Sequence, residues 1–337
     1  MNDWRRDPPE TDSPAHISEG VNDAAQPHSE NSHPYDRDGN TESYLRTDHE
    51  DGFEPALFEN IFAPEPILQE RIPHVGHVGI LGLIAICSLI IASLLSRAAI
   101  HFHFLGVTNL QQAQADVRYT LGSEAVLYLI SLFMAWVLFP LLWQRSFLSG
   151  IHWNGFIAVR SLGKLVSISL LCFLLAMLNG YFMPGPPDTP IDRIFRMPGA
   201  AWFLFAFGIT MAPFFEELAY RGFLLPAICT AVDWLREKII GVQPRRADAF
   251  GNPDWSLQAM AVGTIFTSVP FALMHAYQTG YSLGPFLLLF VISMVLCAVR
   301  LSTRSLAASI VVHAGYNFLL FAFMLIGTSG FKHLGNM

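Results

Sequence analysis

Six polar or ionisable side chains stand inside otherwise apolar stretches of the chain, and their types are those of a hydrolytic site. They are Glu216, Glu217, Arg221, His275, His313 and Asn317. A carboxylate can take a proton from water as a general base, while His and Asn can donate hydrogen bonds to a developing oxyanion. Because a charge inside a membrane span costs about 2.5 kcal/mol or more, such groups usually face a cavity or a partner.

The first group is the sequence Glu216-Glu217-Leu-Ala-Tyr-Arg221. Adjacent helical residues diverge by about 100°, so Glu216 and Glu217 cannot both point at one site. Glu217 and Arg221 are spaced i,i+4 with the acid first, which is the favourable order for a helical ion pair. Glu216 is therefore the free carboxylate and the candidate general base. The alternative is a buried salt bridge with a spare acid beside it.

Two further groups each place two side chains one helical turn apart. Phe271 and His275 share a helix face, so the ring can pack against the imidazole. His313 and Asn317 also share a face, and Gly315 between them would let a neighbouring helix or a substrate backbone approach closely. Each group by itself also fits a structural role, as an interfacial His or as a polar pair that joins two helices.

Two mechanisms fit these residues. In one, Glu216 acts as general base for a water that His275 helps to position, and His313 and Asn317 stabilise the oxyanion. In the other, Glu216, His275 and His313 form a His₂Glu set that holds zinc (Zn2+) with an open position for water. The adjacent glutamates are not the His-Glu-x-x-His zinc motif, and the sequence leaves both mechanisms open.

The elements that must position these residues are membrane helices. Of the 337 residues, 52% are apolar and 14% are charged, whereas soluble proteins have about 25% charged residues. Crossing about 30 Å of hydrocarbon takes about 20 apolar residues. Seven stretches qualify: 78–95, 125–143, 165–183, 200–226, 259–276, 285–299 and 306–327. Because the stretch 222–241 could add a crossing, we predict an all-α, polytopic membrane bundle of seven or eight transmembrane helices.

The N-terminal part of the chain differs in charge from the rest. Residues 1–76 contain 5 Lys+Arg and 17 Asp+Glu, and the remaining residues contain 15 and 10. Such an acidic, Pro- and Ser-rich stretch cannot bury enough apolar surface to offset chain entropy. We therefore predict a disordered acidic tail over 1–76 and a transmembrane domain over 77–330.

Basic residues in short loops predict the orientation. Arg145, Arg160 and Lys164 follow the second span without an acid, which favours the cytoplasmic side for this loop and hence for the N-terminal tail. We expect an integral protein of the plasma or inner membrane.

The three groups of residues, in this order on apolar helices, resemble the motifs of the CPBP family of intramembrane proteases. This is the CAAX-protease and bacteriocin-processing (Abi) family, which includes the type II CAAX prenyl endopeptidases, and the resemblance covers about 165–327. It implies a helical core with a conical cavity open to the cytoplasm. By motif position, Glu216 and His275 would activate water, and His313 and Asn317 would stabilise the oxyanion. The chain departs from the family pattern in its acidic tail and in the insert 241–255.

We therefore predict an intramembrane endopeptidase, with or without zinc, that cleaves a membrane-associated peptide or protein, lipidated or not. Its partners would be the lipid bilayer and this substrate, with no nucleic acid. Two other classes stay open. One is a non-proteolytic immunity or peptide-sequestering membrane protein of the same fold. The other is a proton-coupled transporter, against which the lack of internal repeat symmetry argues.

Overall fold

The computed structural model describes residues 72–186, 188–197, 199–244 and 254–331. Within these ranges all regular elements are helical, as predicted. The predicted tail, apart from residues 72–76, and most of the insert lie outside the described residues.

The described residues form α-helices of very different lengths, with a 3-10 turn at Phe104–Gly106 and a π-helical segment at Leu218–Leu224. The α-helices are α1 Val75–His101, α2 Leu110–Ala115, α3 Val117–Trp143, α4 Phe147–Gly150, α5 Gly155–Arg160, α6 Leu162–Phe182, α7 Pro190–Phe195, α8 Ala200–Ile209, α9 Met211–Glu217, α10 Leu225–Ile240, α11 Leu257–Met274, α12 Leu283–Thr303 and α13 Leu306–Gly327.

Seven helical segments of the described chain are long and apolar enough to cross a membrane. They are α1, α3, α6, the run from α8 to α10, α11, α12 and α13. Many large apolar side chains on α1 and α3 point outwards, among them Leu83, Ile86 and Phe133. Helices in contact with lipid present such an apolar surface, because lipid tails are as apolar as these side chains. The chain is an integral membrane protein.

The ambiguous stretch 222–241 continues the fourth span. Ala200–Ile240 is one helical run of 41 residues, with a break at Thr210 and the π-helical segment inside it. At 1.5 Å per residue the run is about 60 Å long, about twice the hydrocarbon thickness. Its apolar part can therefore span the membrane while the amphipathic end of α10 extends beyond it, and the structure has seven candidate spans.

Two spans are longer than their apolar stretches predicted. Helix α3 begins before the predicted start at Ala125 and includes Glu124, and α12 continues past Val299 and includes Arg300. Both charges ended the apolar stretch in the sequence, but neither ends the helix. Arg300 is 2% exposed and its Nη2 lies 3.0 Å from His152 Nδ1.

Three apolar clusters hold the helices that carry the motif residues. The first joins α6, α12 and α13, the second joins α1, α3 and α4 to the π-helical segment, and the third joins α10, α11 and α12. Within the first, a Cβ on Gly315 would lie 2.7 Å from Ser169 Oγ, and this hydroxyl donates to the Val312 carbonyl at 3.1 Å. The absence of a side chain at Gly315 therefore lets helix α6 pack closely against α13.

Candidate active site

Three helical segments bring together side chains that are far apart in the sequence. Glu216 lies near the end of α9, His275 is the C-cap of α11, and His313 lies in α13. Glu216 Oε2 is 3.7 Å from His275 Nε2 and 3.8 Å from His313 Nε2. One carboxylate oxygen thus faces both imidazoles.

The hydrogen bonds of the two histidines define which ring nitrogen faces Glu216. His275 Nδ1 lies 2.9 Å from the Phe271 carbonyl oxygen, and because a carbonyl only accepts, this nitrogen carries the proton. His313 Nδ1 lies 2.9 Å from Glu217 Oε1 and donates to that carboxylate in the same way. In a neutral ring, Nε2 is then a lone-pair acceptor, and in both rings it is Nε2 that points to Glu216.

Three acceptors therefore face one another. Glu216 Oε2 is inaccessible to solvent and has no hydrogen-bond partner. A carboxylate oxygen and two imidazole lone pairs repel unless a donor or a cation lies between them, and a buried unpaired acceptor is unfavourable. A water molecule, a proton on one imidazole or a metal ion would each satisfy this arrangement.

Glu217 has a different role from its neighbour. Its Oε1 accepts from Arg221 Nη1 at 2.8 Å, and both side chains are fully buried, so the ion pair predicted from their spacing is confirmed. Arg221 Nη2 also donates to Ser293 Oγ at 2.6 Å and to the Ser293 carbonyl at 3.0 Å. Because the same Glu217 oxygen accepts from His313, the ion pair also orients this imidazole.

The helix changes its winding immediately after this pair of glutamates. The π-helical segment Leu218–Leu224 follows Glu217 directly and contains Arg221. Gly222 lies at its centre, where a Cβ would be 3.3 Å from side-chain atoms of both Leu218 and Leu306. π-Helical turns within α-helices are often found at functional sites.

Phe271 forms an apolar wall beside both histidines. Its ring is 1% exposed and lies 4.9 Å from the His275 ring, which confirms the predicted packing, and 5.9 Å from the His313 ring. The Arg221 guanidinium carbon lies 4.6 Å from the same ring. Phe271 therefore restricts both imidazoles and excludes water from the buried ion pair.

Asn317 makes a hydrogen bond that the sequence did not indicate. Its Nδ2 donates to the Gly208 carbonyl at 2.8 Å, where the break at Thr210 leaves the last carbonyls of α8 without helical partners. Thr210 Oγ1 donates to the Ala206 carbonyl at the same break, at 2.6 Å. One amide N–H of Asn317 is thus used to join two helices, and its second N–H is the one that an oxyanion could engage.

A further carboxylate belongs to this region, and the sequence analysis missed it. The Tyr128 hydroxyl donates to Glu124 Oε1 at 2.9 Å, and the Tyr128 ring stacks on Phe215 at 4.6 Å. Glu124 is not among the six side chains singled out in the sequence, and its i,i+4 spacing from Tyr128 was the signal available.

The three side chains at the centre fit zinc in chemical type. Zinc bonds of about 2.0–2.1 Å at tetrahedral angles place ligand atoms about 3.3 Å apart. The distances from Glu216 Oε2 to the two imidazoles are slightly longer, and among the described residues no group of three His, Cys, Asp or Glu has metal-site spacing. The donor types are nevertheless right, because each His has its other nitrogen held by an oxygen acceptor, as metal-binding histidines do.

The comparison with protein families agrees with the motifs. A family model described as type II CAAX prenyl endopeptidase Rce1-like matches residues 198–319. This range contains all the motif residues and begins later than the predicted 165, so that α6 lies outside it. No curated protein and no solved structure matches the chain. The resemblance inferred from the motifs is confirmed over this range: residues 198–319 are similar to the type II CAAX prenyl endopeptidases of the CPBP family.

Proposed function

We propose that the protein is an intramembrane endopeptidase in which Glu216, His275 and His313 form the reacting centre. The observation that carries this proposal is the buried, unpartnered Glu216 Oε2, which faces two imidazole Nε2 atoms at 3.7 and 3.8 Å. A water molecule in this position can donate to the carboxylate and to one imidazole at the same time. The family match supports the protease class.

In the water mechanism, Glu216 removes a proton from the bound water while His275 orients it. The resulting hydroxide attacks the peptide carbonyl, and the proton on Glu216 then passes to the leaving amine. To stabilise the oxyanion, His313 Nε2 must donate a hydrogen bond, so the imidazole must carry two protons. Glu217 supplies the negative charge that such an imidazolium needs at Nδ1.

In the zinc alternative, Glu216 and the two Nε2 atoms would hold the ion, which would supply a polarised water at neutral pH. Glu217 and the Phe271 carbonyl would then orient His313 and His275 as ligands. For this, Glu216 Oε2 would have to lie a few tenths of an ångström closer to each Nε2 atom than the observed 3.7 and 3.8 Å.

The proposed substrate is a membrane-associated peptide or protein. The proposed reacting centre is made of residues on apolar helices long enough to cross a membrane, and the matching family is described as prenyl endopeptidases that act on CAAX substrates. This supports a lipidated peptide as the first class of substrate to test, next to an unmodified membrane-anchored one.

The test compares cleavage of membrane-anchored peptides, with and without a prenyl group, by the purified wild type and Glu216→Gln. Because Gln keeps the shape but cannot take the proton, kcat should fall by about 10²- to 10⁴-fold while the apparent unfolding temperature stays unchanged. Asp188→Asn removes a half-exposed loop carboxylate and serves as the matched control. Products are identified by mass spectrometry.

Normal turnover by Glu216→Gln would contradict the proposal. Equal peptide binding by both proteins without any cleavage would favour the peptide-sequestering class, and proton-coupled uptake into vesicles would favour the transporter. Activity that a strong chelator removes and added zinc restores would select the zinc alternative over the water mechanism.

A further inference from the structure

The pair Glu124–Tyr128 lies on α3, a helix that carries no motif residue, and it packs beside the segment of α9 that carries Glu216. Tyr128 makes this contact, because the Tyr128 ring stacks at 4.6 Å on Phe215, the neighbour of Glu216 in the sequence. The hydroxyl of Tyr128 donates to Glu124 Oε1 at 2.9 Å and holds that carboxylate in place. The Glu124 side chain is partly accessible.

Glu124 differs from the two motif glutamates in how its charge is balanced. Glu217 is bonded to Arg221 and His313, and Glu216 faces two imidazoles. Within the described part of the chain, Glu124 has only a neutral hydroxyl as its hydrogen-bond donor. No Lys, Arg or His among the described residues pairs with it.

A carboxylate without a cation, inside an apolar span, is unfavourable unless something else supplies the positive charge. Glu124 Oε1 already accepts from Tyr128, which leaves Oε2 for a single strong donor. A peptide carbonyl or an oxyanion would be repelled there, whereas a lysine ammonium or one guanidinium N–H would be bound by a charge-assisted hydrogen bond.

We infer that Glu124, held by Tyr128, is a specificity-determining residue that binds a basic side chain of the substrate next to the cleaved bond. This inference rests on the proposed peptidase activity and names a chemical class within it: membrane-associated peptides with Lys or Arg beside the scissile bond. Glu124 takes no part in proton transfer and acts through substrate binding.

The experiment uses membrane-anchored peptides that differ at one position flanking the cleaved bond. Arg is compared with citrulline, its neutral isostere, and Lys with norleucine. The wild type, Glu124→Gln, Tyr128→Phe and the control Asp188→Asn are measured for kcat/KM on each peptide. The ratio between the charged and the neutral peptide is the readout, since a folding defect lowers both values equally and leaves the ratio unchanged.

The wild type and Asp188→Asn should prefer the basic peptide at one flanking position by about 10- to 100-fold, the value of a charge-assisted hydrogen bond. Glu124→Gln should abolish this preference, by lowering kcat/KM for the Arg peptide towards the value for the citrulline peptide. Tyr128→Phe should reduce the preference less, because the carboxylate stays but is no longer held.

Equal cleavage of Arg and citrulline peptides by the wild type at every flanking position would overturn the inference, as would a preference that Glu124→Gln retains. A uniform loss on both peptides would make Glu124 a structural residue. The same peptides are also titrated for binding. If the wild type cleaves none of them, the proposed function fails, while a binding preference that Glu124→Gln loses still supports the inference and equal dissociation constants still reject it.

Discussion

The helices α1 and α3 and the helices that carry the motif are both membrane helices, but they are held by different contacts. Around α3 the buried contacts are aromatic: the Phe139 ring lies 4.6 Å from Trp143 and 4.7 Å from Phe223. Around the motif they are charged, with Glu217 and Arg221 bonded at 2.8 Å and fully buried. The apolar stretch of α3 is 11% buried within the protein and that of α11 is 33% buried, whereas those of α1 and α13 are each 17% buried.

The difference shows where each region can tolerate change. Ring packing is non-directional, and neighbouring side chains or lipid can partly fill the space that a lost ring leaves. A buried ion pair depends on both partners, because removing one leaves the other charge without compensation. The aromatic region should therefore affect stability alone, and the charged region should affect stability and activity together.

The largest effect should come from breaking the buried ion pair. Arg221→Met or Glu217→Gln alone should destabilise the protein by about 3–5 kcal/mol, because one buried charge stays unpaired. The double variant should lose less than the sum of the two. Each single variant should also have a lower activity per folded molecule, since the orientation of His313 depends on the ion pair. Chemical unfolding in detergent and peptide cleavage measure these two effects, and additive losses would show that the pair is uncoupled.

A somewhat smaller effect is expected in the aromatic region. Phe139→Ala should cost about 3 kcal/mol, the lower end for a buried Phe, because lipid is as apolar as the protein interior. Its kcat per folded molecule should equal that of the wild type. Phe133→Ala, on the same helix at a position 70% exposed, is the control and should change neither quantity. A fall in kcat for Phe139→Ala would contradict the prediction that the aromatic region affects stability alone.

Substitution of Asn317 is expected to affect both stability and activity, with effects of intermediate size. Asn317→Ala leaves the Gly208 carbonyl unpaired at the break in the fourth span, at about 1–3 kcal/mol. If its second N–H serves the oxyanion, kcat should also fall by about 10²-fold. Thr210→Val removes the other side-chain bond at the same break and should reduce stability without reducing kcat. Equal kinetics for the two variants would make Asn317 a structural residue only.

The smallest effect is expected at an ion pair at the N-terminal end of α3. The Arg118 side chain, bonded to the Asp116 carboxylate at 2.6 Å, holds the pKa of Asp116 below its usual range, mainly through this hydrogen bond. Its contribution to stability is therefore present above the usual Asp pKa of about 3.9 and is lost as pH falls through the lower folded value. Asp116→Asn should lower the apparent unfolding temperature at pH 7 less than Phe139→Ala, Asn317→Ala or the variants of the buried ion pair, since exposed pairs are screened.

High salt should remove this difference between Asp116→Asn and the wild type. Asn can still cap the helix in place of Asp, so the comparison isolates the ion pair from the cap. A difference that grows with acidification would have the wrong sign and would contradict this account.

Contacts within one helix could be read from the sequence. The ion pair of Glu217 with Arg221 and the packing of Phe271 on His275 follow from i,i+4 spacing, because helical geometry alone places those side chains side by side. The helical class, the seven apolar spans and the motif resemblance were equally accessible, since each depends on local composition or on residue order.

Contacts between helices were decided by the tertiary structure. The bond from His313 to Glu217, that from Asn317 to Gly208 and the stacking of Tyr128 on Phe215 all depend on how helices pack. Sequence spacing carries no information on such packing, because an apolar face fits several neighbours about equally well. Glu124 and Arg300 were also placed outside their spans, because a charge ends an apolar stretch in the sequence but does not end a helix in which another side chain supplies a bonding partner.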